Sequence, residues 1–395
     1  MKRMIAAVAA TAATTAIFGF GALPVQAQDT VKVGLIVSQT GPFAAVGRQM
    51  ETGVRLYMQQ NGDTVAGKKI EVIVKDDTGV ADTTRRLAQE LVVNDKVQFL
   101  AGFTLTPGAL ATAPVATQSK TPMIVMLGAT SIIPDRSPYI VRSMLSVAQI
   151  GVPFGEWIYD QGARTIVTLV SDYGPGQDYE NLLTAGFEKK GGKTLAKLRV
   201  PLANPEFAPF LQRVIDLKPD AMFVFVPAGG VGAAFMKQAN ERGLATSGIK
   251  VYTEGSIVED DLVNGAGEIA LGTISAHNYS AAHDSAVNKA FIEAYKKAYN
   301  RRPNFVAVSG YDGMHMIYEA LKKTKGTGDG DALVKAMIGM SFESPRGPVT
   351  LDGETRDLIQ NIYVRKTERL KDGELYNVEI ATIPNVKDPT RPAKP

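Results

Sequence analysis

Residues 31–47 read VKVGLIVSQTGPFAAVG. Val31, Val33, Leu35, Ile36 and Val37 show no polar alternation, the mark of a strand covered on both faces, as in a parallel sheet with helices on either side. Ser38 to Gly41 break the run. Pro42 suits the first turn of a helix, to which Val46, Met50, Val54 and Met58 give an apolar face. Open α/β sheets bind ligands in the crevice beyond the carboxyl ends of their strands. Ser38 to Val46 is therefore the first candidate wall of a site, with Phe43 as its ring contact.

Outward from this stretch the same grammar repeats. Strands at Lys69 to Lys75, Val97 to Ala101 and Met123 to Leu127 alternate with helices at Ala81 to Asn94 and Pro107 to Gln118, which is a parallel α/β sheet. A second series runs from a helix at Ile150 to Tyr159 through strands at Thr165, Thr194, Ala221 and Lys250 to a last strand expected over Ile269 to Ser275. After helices at 286–299, 305–322 and 331–340, the three short strands left near Val349, Ile362 and Leu375 are too few for a third core. The fold class expected is α/β: two Rossmann-like lobes with parallel central sheets and several hinge crossings. The boundaries expected are 28–147 with 277–347 for the first lobe and 148–276 with 348–395 for the second. The tail after Pro384 reads as poorly ordered.

Residues 1–27 read as a secretory signal: Lys2 and Arg3 precede an apolar alanine-rich run, and Val25-Gln26-Ala27 resembles a cleavage site, placing the mature protein in the periplasm. The chain has 43 Lys and Arg against 40 Asp and Glu, and losing Lys2 and Arg3 would leave about +1. Such a balance favours neither nucleic acid nor an anionic membrane surface. Cysteine is absent, so disulfides and thiolate metal sites are excluded.

Enzyme motifs fail on context. Gly62 to Lys69 approximates a phosphate loop, but it joins helix to strand and has Lys69 where Ser or Thr is needed. Gly230-Val231-Gly232 follows a strand as in a dinucleotide fingerprint, yet Phe235 stands where only Gly or Ala allows close packing. His277, His283 and His315 include no pair at metal-helix spacing. His277, near a lobe crossing, reads as a structural hydrogen bond. No cofactor or catalytic group is expected.

What remains are residues at strand ends. Thr104 and Thr106 follow the third strand, Thr106 preceding Pro107 as an N-cap would, and helix starts of this kind can bind a carboxylate. Gly128-Ala129-Thr130 offers backbone groups and a hydroxyl, and Tyr173 would project from the second lobe.

In order and spacing, SQTGPFAAVG, GFTLTPGALATAP, LGATS, VSDYGPG and VYTEG resemble the leucine/isoleucine/valine-binding proteins, the type I periplasmic solute-binding proteins of branched-chain amino acid ABC transporters. The resemblance spans the mature chain and implies a non-catalytic trap that closes over a small ligand and delivers it to a membrane permease. By it, Thr106 matches a serine that binds the ligand carboxylate, Gly128 and Thr130 hold carboxylate and ammonium, Glu254 pairs with the ammonium, and Tyr173 lines the cleft. Two positions depart from the leucine-binding pattern. Val46 replaces a tyrosine and Ala228 another aromatic, which enlarges the pocket. A carboxylate enclosed at Glu254 must meet a cation or take up a proton, so an amino acid with an apolar side chain is expected first and an aromatic carboxylate (benzoate- or cinnamate-like) second. A periplasmic sensor would use the same closure.

Overall fold

The structure, a computed structural model, describes residues 29–391. The expected leader and its cleavage near Ala27 lie outside the described residues. The chain opens with β1 (Thr30–Val37), then a single 3-10 turn at Gly41–Phe43 that carries Pro42, then α1 (Ala44–Asn61). Every β1 side chain from Val33 to Val37 is buried, as its unbroken apolar run predicts. Gly47 is the residue that lets α1 fold back over the strand end: a Cβ there would stand 1.9 Å from the Ser38 carbonyl.

The first sheet continues with β2 (Thr64–Val65), β3 (Lys68–Asp76), α2 (Ala81–Glu90), β4 (Phe99–Gly102), α3 (Thr106–Ser119), β5 (Met123–Val125) and β6 (Ile140–Arg142). Its order is β2-β3-β1-β4-β5-β6, parallel except for the antiparallel β2. Sequence reading missed β2 and β6, pieces of two and three residues that are too short for any periodicity. The stretch resembling a phosphate loop is the turn into the β2–β3 hairpin.

The chain then crosses to α4 (Val147–Asp160), β7 (Thr165–Ser171), α5 (Gly174–Lys189), β8 (Lys193–Val200), α6 (Ala208–Leu217), β9 (Ala221–Phe225), α7 (Gly230–Glu241), β10 (Lys250–Thr253) and β11 (Ile274–His277). The strand expected from Ile269 begins only at Ile274. Gly267 and Gly272, both at positive φ, bracket a 3-10 turn at Glu268–Ala270 whose Ile269 and Ala270 are buried in the same apolar cluster as α7. The apolar side chains that suggested a strand are buried by that turn instead.

α8 (Ala286–Tyr299), α9 (Phe305–Lys323) and α10 (Gly330–Met337) follow, and α9 packs tightly on α1, where a Cβ at Gly53 would reach 1.9 Å from the Ala307 carbonyl. The chain returns to the second sheet through β12 (Ser341–Ser344), β13 (Gly347–Leu351), β14 (Leu358–Arg369) and β15 (Leu375–Val386). That sheet runs β12-β13-β14-β11-β10-β9-β7-β8, with β15 on β14. The strand expected near Ile362 is longer, Leu358–Arg369, and its Gln360 and Arg365 are fully buried.

The tail is held rather than loose as far as it is described. Pro384 lies within edge strand β15, where a missing N–H is tolerated. Beyond it Lys387 meets Asp352 at 3.0 Å and Arg391 meets Asp357 at 2.9 Å. These ion pairs supply the anchoring that a proline- and lysine-rich composition does not reveal.

Candidate functional site

In the first sheet β1 lies between β3 and β4, and in the second β7 lies between β8 and β9, so strand order reverses at both places. Crevices open at such reversals, and here the two face each other. Loops leaving β1, β4, β7 and β9 border a cleft lined by side chains of both lobes, the kind of concave, largely apolar site that small molecules occupy.

Phe43, Val46, Thr106, Gly128, Ala129, Tyr173, Ala228 and Glu254 all line this cavity. Thr130 does not. Arg142, fully buried at the end of β6, donates to the carbonyls of Gly128 and Thr130 at 3.1 and 2.9 Å while its Nε meets Asp357 at 2.7 Å. With the turn so pinned, Thr130 sits behind the wall, where a Cβ on Gly174 would lie 3.0 Å from its hydroxyl. Gly128 reaches the wall with its backbone already engaged, since its N–H bonds the Phe103 carbonyl at 3.2 Å. The neighbouring Ala129 amide has no backbone acceptor among the described residues.

Thr106 is the first residue of α3, with Leu105 in the capping position, so the expected side-chain cap is absent. Its hydroxyl is 3% exposed as a residue and without a hydrogen-bond partner among the described residues. Buried hydroxyls rarely stay unpaired, and this one lies on a cavity wall. A Cβ on Gly174, the first residue of α5, would come 3.7 Å from Thr106 Cγ2, so the N-termini of two helices converge there. Both present partial positive charge.

The opening loop is braced from beneath. Asp77, buried at 2% exposure, accepts from Ser38 Oγ (2.7 Å), the Gly79 amide (2.9 Å) and Thr84 Oγ1 (3.0 Å), and Thr104 Oγ1 accepts from the Ser38 amide at 3.0 Å. Phe43, carried by this loop, joins an apolar cluster whose other buried members run from Val167 to Ala270 with Leu375. A first-lobe ring is thus seated in the second lobe's core. The lobes also meet where Pro42 faces Gly229 and where Gln49 bonds Asp261.

Sequence reasoning left out most of the remaining wall: Leu105, Leu127, Met144, Leu145, Pro175, Tyr179, Phe225, Pro227, Ser256, His277 and Phe305. The rings are arranged in contact. Tyr173 stacks on Phe225 (6.0 Å, 11° between planes), Tyr179 lies 4.6 Å from Phe225, and His277 lies 4.1 Å from Phe305. Phe225, the last residue of β9, could have been found by the strand-end rule that found Tyr173. His277 ends β11, and its Nδ1 has no hydrogen-bond partner among the described residues, so it is a wall residue rather than a satisfied hinge histidine.

Glu254 follows β10 at 2% exposure. Its Oε2 accepts from Thr253 Oγ1 at 2.9 Å and its Oε1 from the Ser256 amide at 3.0 Å. Burial pushes its carboxyl up to about 7, although these hydrogen bonds pull the other way. Burial also raises the phenols of Tyr173 and Tyr179, with Glu254 adding to both, and lowers His277, helped by Arg365 and Arg346. Among the described residues the cavity wall contains no Lys or Arg. Among the described residues no cluster of three or more His, Asp or Glu could hold a metal. An anion is thus offered two helix N-termini, an unpaired hydroxyl and a free amide, beside a wall of rings.

Two α/β lobes meeting over one small cavity at paired strand-order reversals define a ligand-capture protein. Residues 30–374 match the family model described as periplasmic binding protein, and the chain belongs to that family. It is 40% identical over 365 residues to a Leu/Ile/Val-binding protein homolog 6 of Brucella melitensis biotype 1, covering 91% of this chain and 93% of the relative. A solute-binding protein of an ABC transporter from Rhodopseudomonas palustris BisB5, solved with 3,4-dihydroxybenzoic acid, is 57% identical with a TM-score of 0.89, covering 92% of this chain and 99% of that one. A second R. palustris solute-binding protein, solved with 4-hydroxybenzoate, is 36% identical with a TM-score of 0.88 and the same coverage. The chain is a type I periplasmic binding protein of an ABC transporter, of the branched-chain amino acid family. No helix among the described residues is long and apolar enough to cross a membrane.

Proposed function

We propose that this protein captures a hydroxylated benzoate for import, the aromatic alternative rather than the apolar amino acid ranked first from sequence. The observation that carries this reading is the wall itself: Phe43, Tyr173, Tyr179, Phe225 and Phe305 surround the cavity, and stacked or edge-on rings favour a flat aromatic ligand. With no cation beside it, burial pushes the Glu254 carboxyl up to about 7, so near neutral pH it can face an anionic ligand by holding a proton. The ligand carboxylate sits at the convergence of α3 and α5, against Thr106 and Ala129. The R. palustris proteins solved with hydroxybenzoates support the same choice.

Residues 1–27 act as the exported protein's leader. The expected crossings at 277 and 347 shift, because β11 runs through His277 and β12 (Ser341–Ser344) pairs into the second sheet: one lobe takes 29–147 with the helices of 278–340, the other 148–277 with 341–391, and the closed form is presented to a membrane permease. Thermal-shift titration with 3,4-dihydroxybenzoate, 4-hydroxybenzoate, benzoate, leucine and phenylalanine tests the ligand class. Saturation at a hundred times the dissociation constant adds about 2.7 kcal/mol to the native state. The benzoates raise the melting temperature and leucine leaves it unchanged; a shift with leucine and none with the benzoates overturns the assignment.

A further inference from the structure

Glu254 is an acid in a cavity that already attracts an anion. Strand spacing of about 4.8 Å sets the end of β10 roughly 10 Å across the sheet from the end of β7, where α5 begins, because β9 is the strand between them. A ligand carboxylate at the helix N-termini therefore extends its ring toward Glu254, His277 and Ser256.

The charges around Glu254 offer it no counterion. Tyr173 and Tyr179 from the α5 side are phenols, half-buried and buried respectively, His277 from β11 is a buried imidazole, and Thr104 and Thr106 from the first lobe are hydroxyls. Behind the adjacent Gly255 lies Arg365, but its Nη2 is bonded to Glu259 at 3.0 Å and its other nitrogens to Ser275 and the Tyr279 carbonyl. Bringing a carboxylate into the same closed cavity adds a second negative charge, and two like charges in one dry site cannot both persist without cations.

Resting on the benzoate reading, we propose that Glu254 is the specificity residue for the ring hydroxyl, acting as a neutral carboxylic acid, and that loading an anionic hydroxybenzoate takes up a proton there. The balance is simple: ligand carboxylate, Glu254 carboxylate and one proton give a complex in which the ligand keeps its charge and Glu254 carries the proton. Each Glu254 oxygen already accepts one bond, so the added O–H is the donor available to a phenolic oxygen. The pKa of the free protein, raised to about 7 by burial, sets the window: below it the proton is already present, and above it binding must supply one.

The test is calorimetry of 4-hydroxybenzoate binding at pH 8 in phosphate and in Tris, whose different ionisation enthalpies report proton exchange, with affinity followed from pH 6 to 8.5. Wild type is expected to take up more than about half a proton at pH 8 and to weaken by up to about tenfold per pH unit above 7. Glu254→Gln, a permanent mimic of the neutral acid, is expected to bind at pH 8 at least as tightly as wild type, with no proton uptake and a flat pH profile. Binding by wild type with no buffer dependence and a flat profile overturns the inference while leaving the benzoate reading intact. Absence of heat with every benzoate overturns that reading, and this inference with it.

Discussion

At the scale of single residues, the cavity separates groups that hold the fold from groups kept for a ligand. Thr106 belongs to the second kind, because its hydroxyl has no hydrogen-bond partner among the described residues. Thr106→Val should leave the melting temperature of the free protein within about 1 °C while weakening benzoate binding roughly tenfold, the usual worth of a hydrogen bond to a charged group; paired melting and calorimetry check both halves. Asp77 belongs to the first kind. Asp77→Ala strands the donors of Ser38 and Gly79 and leaves the Thr84 hydroxyl only the Val80 carbonyl, and should cost roughly 3 kcal/mol in urea unfolding. Val46 limits the pocket: it is 3% exposed, and its Cγ2 stands 3.5 Å from a Cβ position on Gly229. Restoring the ring of the leucine-binding pattern with Val46→Tyr should fill the cavity and abolish benzoate binding, read as loss of the thermal shift.

At the scale of elements, strand-end loops were the legible part of the site. The unbroken apolar run of β1 and the breaks after β1, β4 and β7 located Phe43, Thr106 and Tyr173, because a parallel strand must end in a loop on one known side, while Ala228 came from the family resemblance. Residues hidden from that logic lie inside other elements. Tyr179 is within α5, Phe305 opens α9, and Met144 and Leu145 follow the three-residue β6, so each reads as ordinary core. Buried Arg142, Arg346 and Arg365 escaped for the opposite reason: arginine reads as surface until its partners Asp357, Asp312 and Glu259 are seen. Thr130 was expected for its hydroxyl beyond the strand end and its match to the family's ligand-binding turn, and the Arg142 clamp on that turn, invisible in sequence, is what removes it from the wall.

At the scale of the whole molecule, the fold assembles one binding site from two lobes and places an uncompensated acid inside it. In the free protein the Glu254 carboxyl stands near 7 against 4.5 for an unperturbed glutamate. Between those values the native state keeps a proton that the unfolded chain loses, so the native state binds more protons and Glu254 makes stability fall as pH rises from about 4.5 to 7. Glu254→Gln should flatten that part of the melting-temperature profile. The same variant decides between ligand classes. An ammonium-bearing amino acid loses its partner when Glu254 becomes glutamine, whereas a hydroxybenzoate keeps a neutral donor. The most direct test of the central claim is calorimetric titration of the wild-type protein with 4-hydroxybenzoate in direct competition with leucine. The account predicts saturable binding of one hydroxybenzoate per chain, undisturbed by excess leucine; binding of leucine that excess hydroxybenzoate fails to displace would contradict it.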